Sequence, residues 1–170
     1  MANSFKILLL EDLQEDYELV KREIGKNYNN FEILHVDNES DFRKQLVEFS
    51  PDLVLSDYNL PQINGLEALQ IVREMHSNLP FLVVTGSINE DTAVDCIKAG
   101  ATDYIIKENL IRLNPAIKSA LQHSKILKGK EAAEDALAES ERKFRHSFNH
   151  ANIGQALIDM KGKVLEINPK

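Results

Sequence analysis

Apolar residues gather in five short runs, and each run is followed by a stretch with helical spacing. The runs are Phe5–Leu10, Phe31–Val36, Leu53–Leu55, Pro80–Val84 and Asp103–Ile106. Runs of this length and composition are typical of buried strands. Between them, apolar residues recur at every third or fourth position, as on one face of an amphipathic helix. The pattern therefore predicts alternating strands and helices over about the first 120 residues.

The helices have recognisable ends. Asn38 and Ser40 can cap the second helix, and Asn64 can cap the third. Gly100 is placed to close a short fourth helix that starts near Glu90. The apolar faces of the first three helices are predicted to carry Leu13, Tyr17, Val20 and Ile24, then Phe42, Leu46 and Phe49, then Leu66, Leu69, Val72 and Met75.

This alternation of buried strands and helices calls for an α/β fold, with a parallel sheet covered by helices on both faces. Right-handed crossovers leave few possible topologies. We predict a flavodoxin-like, doubly wound sheet of five strands in the order 2-1-3-4-5. An extended C-terminal helix and a short β-hairpin are expected to follow it.

Composition and charge narrow the functions. A net charge of -7 argues against a nucleic-acid-binding surface. The single cysteine, Cys96, rules out an internal disulfide and fits a cytoplasmic protein. The run Ile7–Leu10 is too short for a membrane span or a signal peptide, so no membrane insertion is expected.

Polar side chains follow the predicted strands at the points where those strands end. They are Glu11 and Asp12 after the first strand, Asp57 after the third, Thr85 after the fourth and Lys107 after the fifth. In a parallel sheet all these strand ends lie at one edge. Three carboxylates there would repel one another without a cation, and oxygen ligands with spare water positions suit Mg²⁺. An acid nucleophile, a metal, a lysine and a hydroxyl together form a site for phosphoryl transfer.

Each of these residues also has an ordinary structural explanation. Glu11 and Asp12 could simply favour a helix N-terminus. Asp57 could be a turn acid, and Lys107 a solvated surface lysine. Only their joint occurrence at one sheet edge favours the functional interpretation. The five histidines show no metal-binding spacing.

Residues 1–125 resemble the receiver domain of a two-component response regulator. The matching pieces are Glu11-Asp12, Asp57 with Pro61 and Gly65 behind it, Thr85-Gly86, the run Ala99–Tyr104, and Lys107. The resemblance implies that Asp57 accepts a phosphoryl group from a histidine kinase or a phosphotransfer protein. It also implies that the domain is a self-modifying switch and not a turnover enzyme.

The resemblance also implies a set of metal ligands. Asp12 and Asp57 would bind Mg²⁺ directly, and Glu11 would act largely through water. The backbone carbonyl of Asn59 would complete the protein's share of the coordination.

Further roles concern the phosphoryl group. Thr85 and Lys107 would hold its oxygens, and Tyr104 would turn inward when Thr85 is drawn towards it. The side chains of Asn59 and Ser87 would tune the lifetime of the acyl phosphate.

Two positions depart from the family pattern. Glu11 stands where the family usually has Asp, which is a frequent and mild variation. Receivers usually have a proline after the lysine, in a cis peptide, whereas Glu108 follows Lys107 here. A cis bond without proline costs about 2.5–4 kcal/mol. We therefore expect a trans Lys107–Glu108 peptide and a changed loop.

Residues 126–149 are rich in Ala, Glu, Lys and Leu, a composition that favours a helix. Small residues at Ala133, Ser140 and Ser147 lie seven positions apart. This spacing favours a parallel coiled-coil linker between two copies, and a solvated single helix is the alternative.

The stretch from Glu141 to Pro169 resembles the start of a PAS sensory domain, and we expect the fragment of that domain itself to occupy residues 150–170. The pieces are a helix with Phe144 and Phe148, a strand over Gln155–Ile158, a turn at Lys161-Gly162 and a strand over Val164–Ile167. A two-stranded hairpin is marginal by itself, so we expect the chain to be a fragment of a longer protein.

Several functional hypotheses stay open. The preferred one is a receiver that switches an output domain in the same chain, with homodimerisation through the linker or the face of the fourth helix, fifth strand and fifth helix. The receiver segment of a hybrid sensor histidine kinase or of a cyclic-dinucleotide enzyme is an alternative, as is a pseudo-receiver that only dimerises. A phosphatase of the haloacid-dehalogenase type generally needs a second Asp two residues after the nucleophile, where Asn59 stands.

Overall fold

A computed structural model describes residues 4–86, 90–150 and 153–169. The chain divides into two compact units, Met1–Lys125 and Ile126–Lys170. The first unit holds a five-stranded parallel sheet and its helices, and the second holds a helical segment and a two-stranded antiparallel sheet.

The large sheet has the strand order β2-β1-β3-β4-β5, so the predicted topology is confirmed. Its strands are β1 (Phe5–Leu10), β2 (Phe31–Val36), β3 (Leu53–Ser56), β4 (Phe81–Thr85) and β5 (Asp103–Ile106). The fourth strand lies one residue later than predicted, which places Thr85 inside the strand.

Helices connect the strands. They are α1 (Gln14–Gly25), α2 (Glu39–Glu48), α3 (Gly65–Met75), α4 (Glu90–Lys98) and α5 (Leu113–Asn149). A 3₁₀ helix over Lys107–Arg112 leads from β5 into α5. The predicted long C-terminal helix is therefore confirmed. The 3₁₀ helix, which is wound more tightly than an α-helix, directly precedes its first turn.

Strand β1 shows how the core is built on both faces of the sheet. Leu8 and Leu10 pack with residues of α2 and α3, whereas Ile7 and Leu9 pack with residues of α1 and α5. All four side chains are fully buried. Since successive strand residues point to opposite faces, a continuous apolar run is what a sheet covered on both faces requires.

The helix ends are fixed by local chemistry. The Asn38 side chain accepts from the backbone N–H of Asp41, and the Asn64 side chain forms a capping box with Glu67. Both predicted asparagine caps are thus present. Leu13 was expected on the apolar face of α1, but it stands just before the helix and is 55% exposed.

Gly100 has a φ of +101°, which glycine adopts readily and other residues rarely do. Its carbonyl accepts from the Arg73 guanidinium, whose Nη2 lies 2.7 Å away. Burial lowers the pKa of that guanidinium. The contact ties the end of α3 to the turn that precedes β5.

In the second unit, β6 (Ala156–Ile158) pairs with β7 (Val164–Ile167) as an antiparallel hairpin, as predicted. Gly162 has a φ of +81° in the turn between them. The Asn168 side chain closes the open end of the hairpin, since it accepts from the N–H of Gln155 and donates to the carbonyl of Ile153.

Over the residues that the structure describes, we find no helix with the length and apolar character needed to cross a membrane.

Candidate phosphoryl-acceptor site

The register of the sheet brings the polar side chains together. Leu10 pairs with Ser56, so Glu11 and Asp57, the residues that follow, leave adjacent strands at the same level. Backbone hydrogen bonds continue past the strand ends, from Asp57 N–H to the Leu10 carbonyl at 2.9 Å and from Glu11 N–H to the Val36 carbonyl at 3.0 Å.

Asp57 is held on both sides of its carboxylate. Its Oδ1 accepts from the backbone N–H groups of Tyr58 at 2.5 Å and Asn59 at 3.2 Å. Its Oδ2 accepts from the ammonium of Lys107 at 2.8 Å. The residue is 7% exposed, so its carboxylate is largely shielded from water.

Lys107 stands at the centre of the cluster. Its Nζ lies 2.8 Å from Glu11 Oε2, 2.5 Å from Asp16 Oδ2 and 2.8 Å from Asp57 Oδ2. An ammonium has three donors, and each has a carboxylate partner here. Burial alone would lower the pKa of this ammonium, but the hydrogen bonds to the three carboxylates outweigh burial and raise that pKa above its ordinary value. The lysine therefore stays charged.

Glu11 is the most deeply buried of the acids, at 1% exposure. Its Oε2 accepts from Lys107, and its Oε1 accepts from the N–H of Leu13 at 3.2 Å. Burial raises the pKa of Glu11, and the contact with Lys107 opposes that rise. The backbone carbonyl of Glu11 lies 2.7 Å from Nε2 of His35, whose ring stacks on Tyr17.

Three of these acids could hold a metal ion. Glu11, Asp12 and Asp57 each offer a carboxylate oxygen, and the three oxygens lie within 4.8 Å of one another. Asp12 is exposed, so one side of the cluster faces water. An all-oxygen set that is open to solvent fits Mg²⁺, which binds few carboxylates and keeps several waters.

The other predicted site residues are positioned as follows. Thr85 is fully buried at the end of β4. Tyr104 is partly buried in β5 and packs against the core on the α3 face of the sheet. Asn59 lies in the loop after β3, and its N–H turns towards Asp57. Ser87 lies outside the described residues.

The loop after Lys107 differs from the one expected of a proline-containing sequence. No peptide bond in the described ranges is cis, and the Lys107–Glu108 bond among them is trans. The chain enters the 3₁₀ helix directly at Lys107, and Leu110 of that helix is buried. This agrees with the expectation drawn from Glu108.

Sequence reasoning missed Asp16. It lies in the first turn of α1, where acids are common because they favour the positive end of a helix. Nothing in its spacing distinguishes it from Glu15 beside it. Only the folded chain reveals that its carboxylate contacts Lys107, which is 91 positions away in sequence.

The arrangement has the parts of a phosphoryl-transfer site. A carboxylate that can act as nucleophile lies beside an ammonium, a hydroxyl-bearing strand end and a set of oxygens suited to a divalent cation. Phosphoryl transfer depends mainly on positioning and on charge stabilisation, and both are available at this edge.

Comparison with known families gives a match to the response regulator receiver domain over residues 7–118. Among curated proteins, the transcriptional regulatory protein DegU of Brevibacillus brevis is 30% identical over 107 residues, which cover 62% of this chain and 45% of that protein. The chain spans less than half the length of the curated relatives that it matches.

Solved structures agree. The signal receiver domain of a Luxo repressor protein from Vibrio parahaemolyticus is 25% identical, with a TM-score of 0.68 over 76% of this chain and 98% of that one. The Mn²⁺-bound form of response regulator Rcp1 is 28% identical, with a TM-score of 0.56 over 68% of this chain and 92% of that one.

Proposed function

The chain belongs to the response regulator receiver family, and from this premise we propose that Asp57 is its phosphoacceptor. The observation that carries the proposal is the position of Asp57 Oδ2, 2.8 Å from the Lys107 ammonium at the edge where Glu11 and Asp12 also gather. A histidine kinase or a phosphotransfer protein would supply the phosphoryl group.

The transfer of the phosphoryl group to Asp57 needs no reactant besides the donor phosphohistidine. A carboxylate oxygen of Asp57 attacks phosphorus, and a P–O bond forms. The P–N bond of the donor phosphohistidine breaks, and the imidazole nitrogen leaves with the electron pair. Lys107 donates to a phosphoryl oxygen, since its ammonium already lies beside the acceptor. The Thr85 hydroxyl would hold a second oxygen.

Glu11, Asp12 and Asp57 would hold Mg²⁺, with the backbone carbonyl of Asn59. The ion would neutralise charge on the acids and on the incoming phosphoryl group. Oxygen atoms within 4.8 Å of one another and an exposed Asp12 support this assignment. The Mn²⁺-bound state of the related Rcp1 structure supports it as well.

The response to phosphorylation would run through Thr85 and Tyr104. Both lie on adjacent strands, since Thr85 ends β4 and Tyr104 belongs to β5. Tyr104 is only partly buried, so its ring has room to become more enclosed. Asn59 and Ser87 would set how long the acyl phosphate survives.

We further propose how the signal leaves the domain. The receiver would occupy residues 1–125, a helical linker residues 126–149, and the start of a PAS-like output segment residues 150–170. Dimerisation would use the linker or the α4-β5-α5 face. The β6-β7 hairpin supports a structured output segment, and the stacked rings of Phe144 and Phe148 lie at the end of the linker that leads into it. Solution mass measured with and without beryllofluoride tests the dimer.

The phosphoacceptor assignment is tested by incubating the chain with acetyl phosphate and following its mass. With Mg²⁺ we expect the addition of one phosphoryl group that maps to Asp57. Removal of Mg²⁺ with a chelator should abolish the addition, because the acids then repel the donor.

Asp57→Asn is the decisive variant, since it keeps the shape of the side chain and removes the nucleophile. We expect it to stay unlabelled. Equal labelling of the variant and the wild-type chain, or no labelling of the wild-type chain, contradicts the assignment.

A further inference from the structure

Lys107 has three carboxylate partners, and they do not belong to one group. Glu11 and Asp57 are also members of the cluster that could hold a metal ion. Asp16 is not a member of that cluster, although it makes the shortest of the three contacts, at 2.5 Å. The lysine therefore bridges the cluster to an acid on its margin.

This division has a consequence for the charge balance. The Lys107 ammonium pairs with the carboxylates of Glu11 and Asp57 and compensates their charges. A divalent cation would draw on the same two carboxylates, Glu11 and Asp57, and two cations close together repel each other. Lys107 and a bound metal ion would therefore compete for Glu11 and Asp57, two of the three carboxylates that contact the lysine.

Asp16 is a partner for the Lys107 ammonium that is not among the carboxylates of the metal cluster. Its carboxylate is 25% exposed, whereas that of Glu11 is 1% exposed. It stands in the first turn of α1, where its N–H donates to the Leu13 carbonyl at 3.1 Å, so its backbone is fixed. A fixed carboxylate beside the cluster can keep the lysine bound when Glu11 and Asp57 turn to another cation.

We propose that Asp16 is a positioning residue that retains Lys107 beside Asp57 while the metal cluster fills. Asp16 thereby lowers the competition between the ammonium and the metal ion, and it keeps the ammonium within reach of the phosphoryl group. The inference rests on the proposed phosphoacceptor function and adds a residue to it.

The test is the affinity of the chain for Mg²⁺, measured by isothermal titration calorimetry in the absence of any phosphodonor. Asp16→Asn removes the charge and keeps the size of the side chain. Without the Asp16 carboxylate, Lys107 has only Glu11 and Asp57 as partners and competes more strongly with the ion for them, so we expect Mg²⁺ binding to weaken about three- to tenfold. Asp16→Ser should weaken it similarly, and circular dichroism verifies the fold of each variant.

The matched control is Glu15→Gln, which removes the same charge from the neighbouring, exposed position. Glu15 is not among the carboxylates that contact Lys107. Its loss changes only the long-range field, so we expect an effect below about twofold. Equal effects of Asp16→Asn and Glu15→Gln, or tighter binding by Asp16→Asn, overturn the inference.

A double-mutant cycle isolates the route through the lysine. In a Lys107→Ala chain, or in Lys107→Gln if the alanine variant does not fold, Asp16→Asn should have no more effect than Glu15→Gln. A full effect of Asp16→Asn in that background contradicts the retaining role. If the wild-type chain itself fails to bind Mg²⁺, the proposed function fails instead, so the two outcomes are distinguishable.

Discussion

Strands β3 and β7 are alike in sequence and opposite in environment. Both are four residues long and mostly aliphatic, LVLS in β3 and VLEI in β7. Every residue of β3 is buried, whereas every residue of β7 is exposed. The difference is in their neighbours, because β3 pairs with a strand on each side and β7 pairs with β6 alone.

An apolar run favours an extended conformation, but it does not determine how deeply the strand is buried. The number of layers packed around the strand decides how much free energy its burial contributes. In the first unit, both faces of the sheet are covered, so a strand end such as Asp57 is held firmly. In the second unit, the hairpin relies on its turn and on Asn168.

The largest expected difference between the two strands is in the free energy of unfolding. Leu55→Ala in β3 leaves a cavity among fully buried side chains, and we expect a loss of about 2–5 kcal/mol. Leu165→Ala in β7, at 64% exposure, should change the free energy by less than about 0.5 kcal/mol. Urea unfolding followed by circular dichroism measures both.

A loss above about 2 kcal/mol for Leu165→Ala would mean that β7 is covered in solution, for instance by a second copy of the chain. Repeating the measurement at several protein concentrations separates that case, since a stability that depends on association rises with concentration.

Substitutions at two glycines test the same difference between the two units, with a smaller expected change in the free energy of unfolding. A Cβ at Gly65 would lie 2.9 Å from the Tyr58 Cα and 3.0 Å from the Asp57 carbonyl oxygen. These are backbone atoms that cannot rotate away, so Gly65→Ala should cost about 1–3 kcal/mol. It should also slow the labelling of Asp57 by acetyl phosphate.

Gly129, within α5, is the matched position in the second unit, since a Cβ there would meet nothing within 4 Å. Alanine favours helices over glycine, so Gly129→Ala should stabilise the helix by up to about 1 kcal/mol. The helical signal in circular dichroism should melt at a higher temperature. Effects of the same sign at both positions would argue against the contact at Gly65.

The smallest expected effect concerns an ion pair. Lys143 and Glu139 lie 2.6 Å apart, closer than Lys107 and Glu11 at 2.8 Å, but their side chains are 75% and 57% exposed. Water screens such a pair, so Lys143→Met should change the free energy of unfolding by no more than about 0.5 kcal/mol. A larger change in thermal unfolding, reversed by high salt, would contradict this estimate.

The fold of the first unit could be predicted because its pattern is redundant. Five strands buried on both faces leave continuous apolar runs, and asparagine caps mark two of the helices. The 3₁₀ helix at Lys107–Arg112 could not be predicted, since its sequence also continues smoothly into α5. The exposure of Leu13 was missed because spacing alone does not show where the first turn begins.

In the candidate site, only the residues that directly follow strands could be predicted from the sequence. Glu11, Asp57 and Lys107 follow strands directly, so sheet topology alone brings them together. Asp16 belongs to a helix, and its contact with Lys107 depends on how α1 lies against the 3₁₀ helix. No local pattern encodes that distance.

Strand β1 has a further consequence during biosynthesis. Its Ile-Leu-Leu-Leu run leaves the ribosome before β2 and β3, the two strands with which it pairs, so both of its edges are covered only after Leu53–Ser56 has been made. Until then it is an exposed strand of the kind that aggregates. Glu11 and Asp12 stand directly after it, as charged residues often do beside such segments. The acids that we propose as metal ligands are thus also placed where charge would oppose aggregation of the nascent chain.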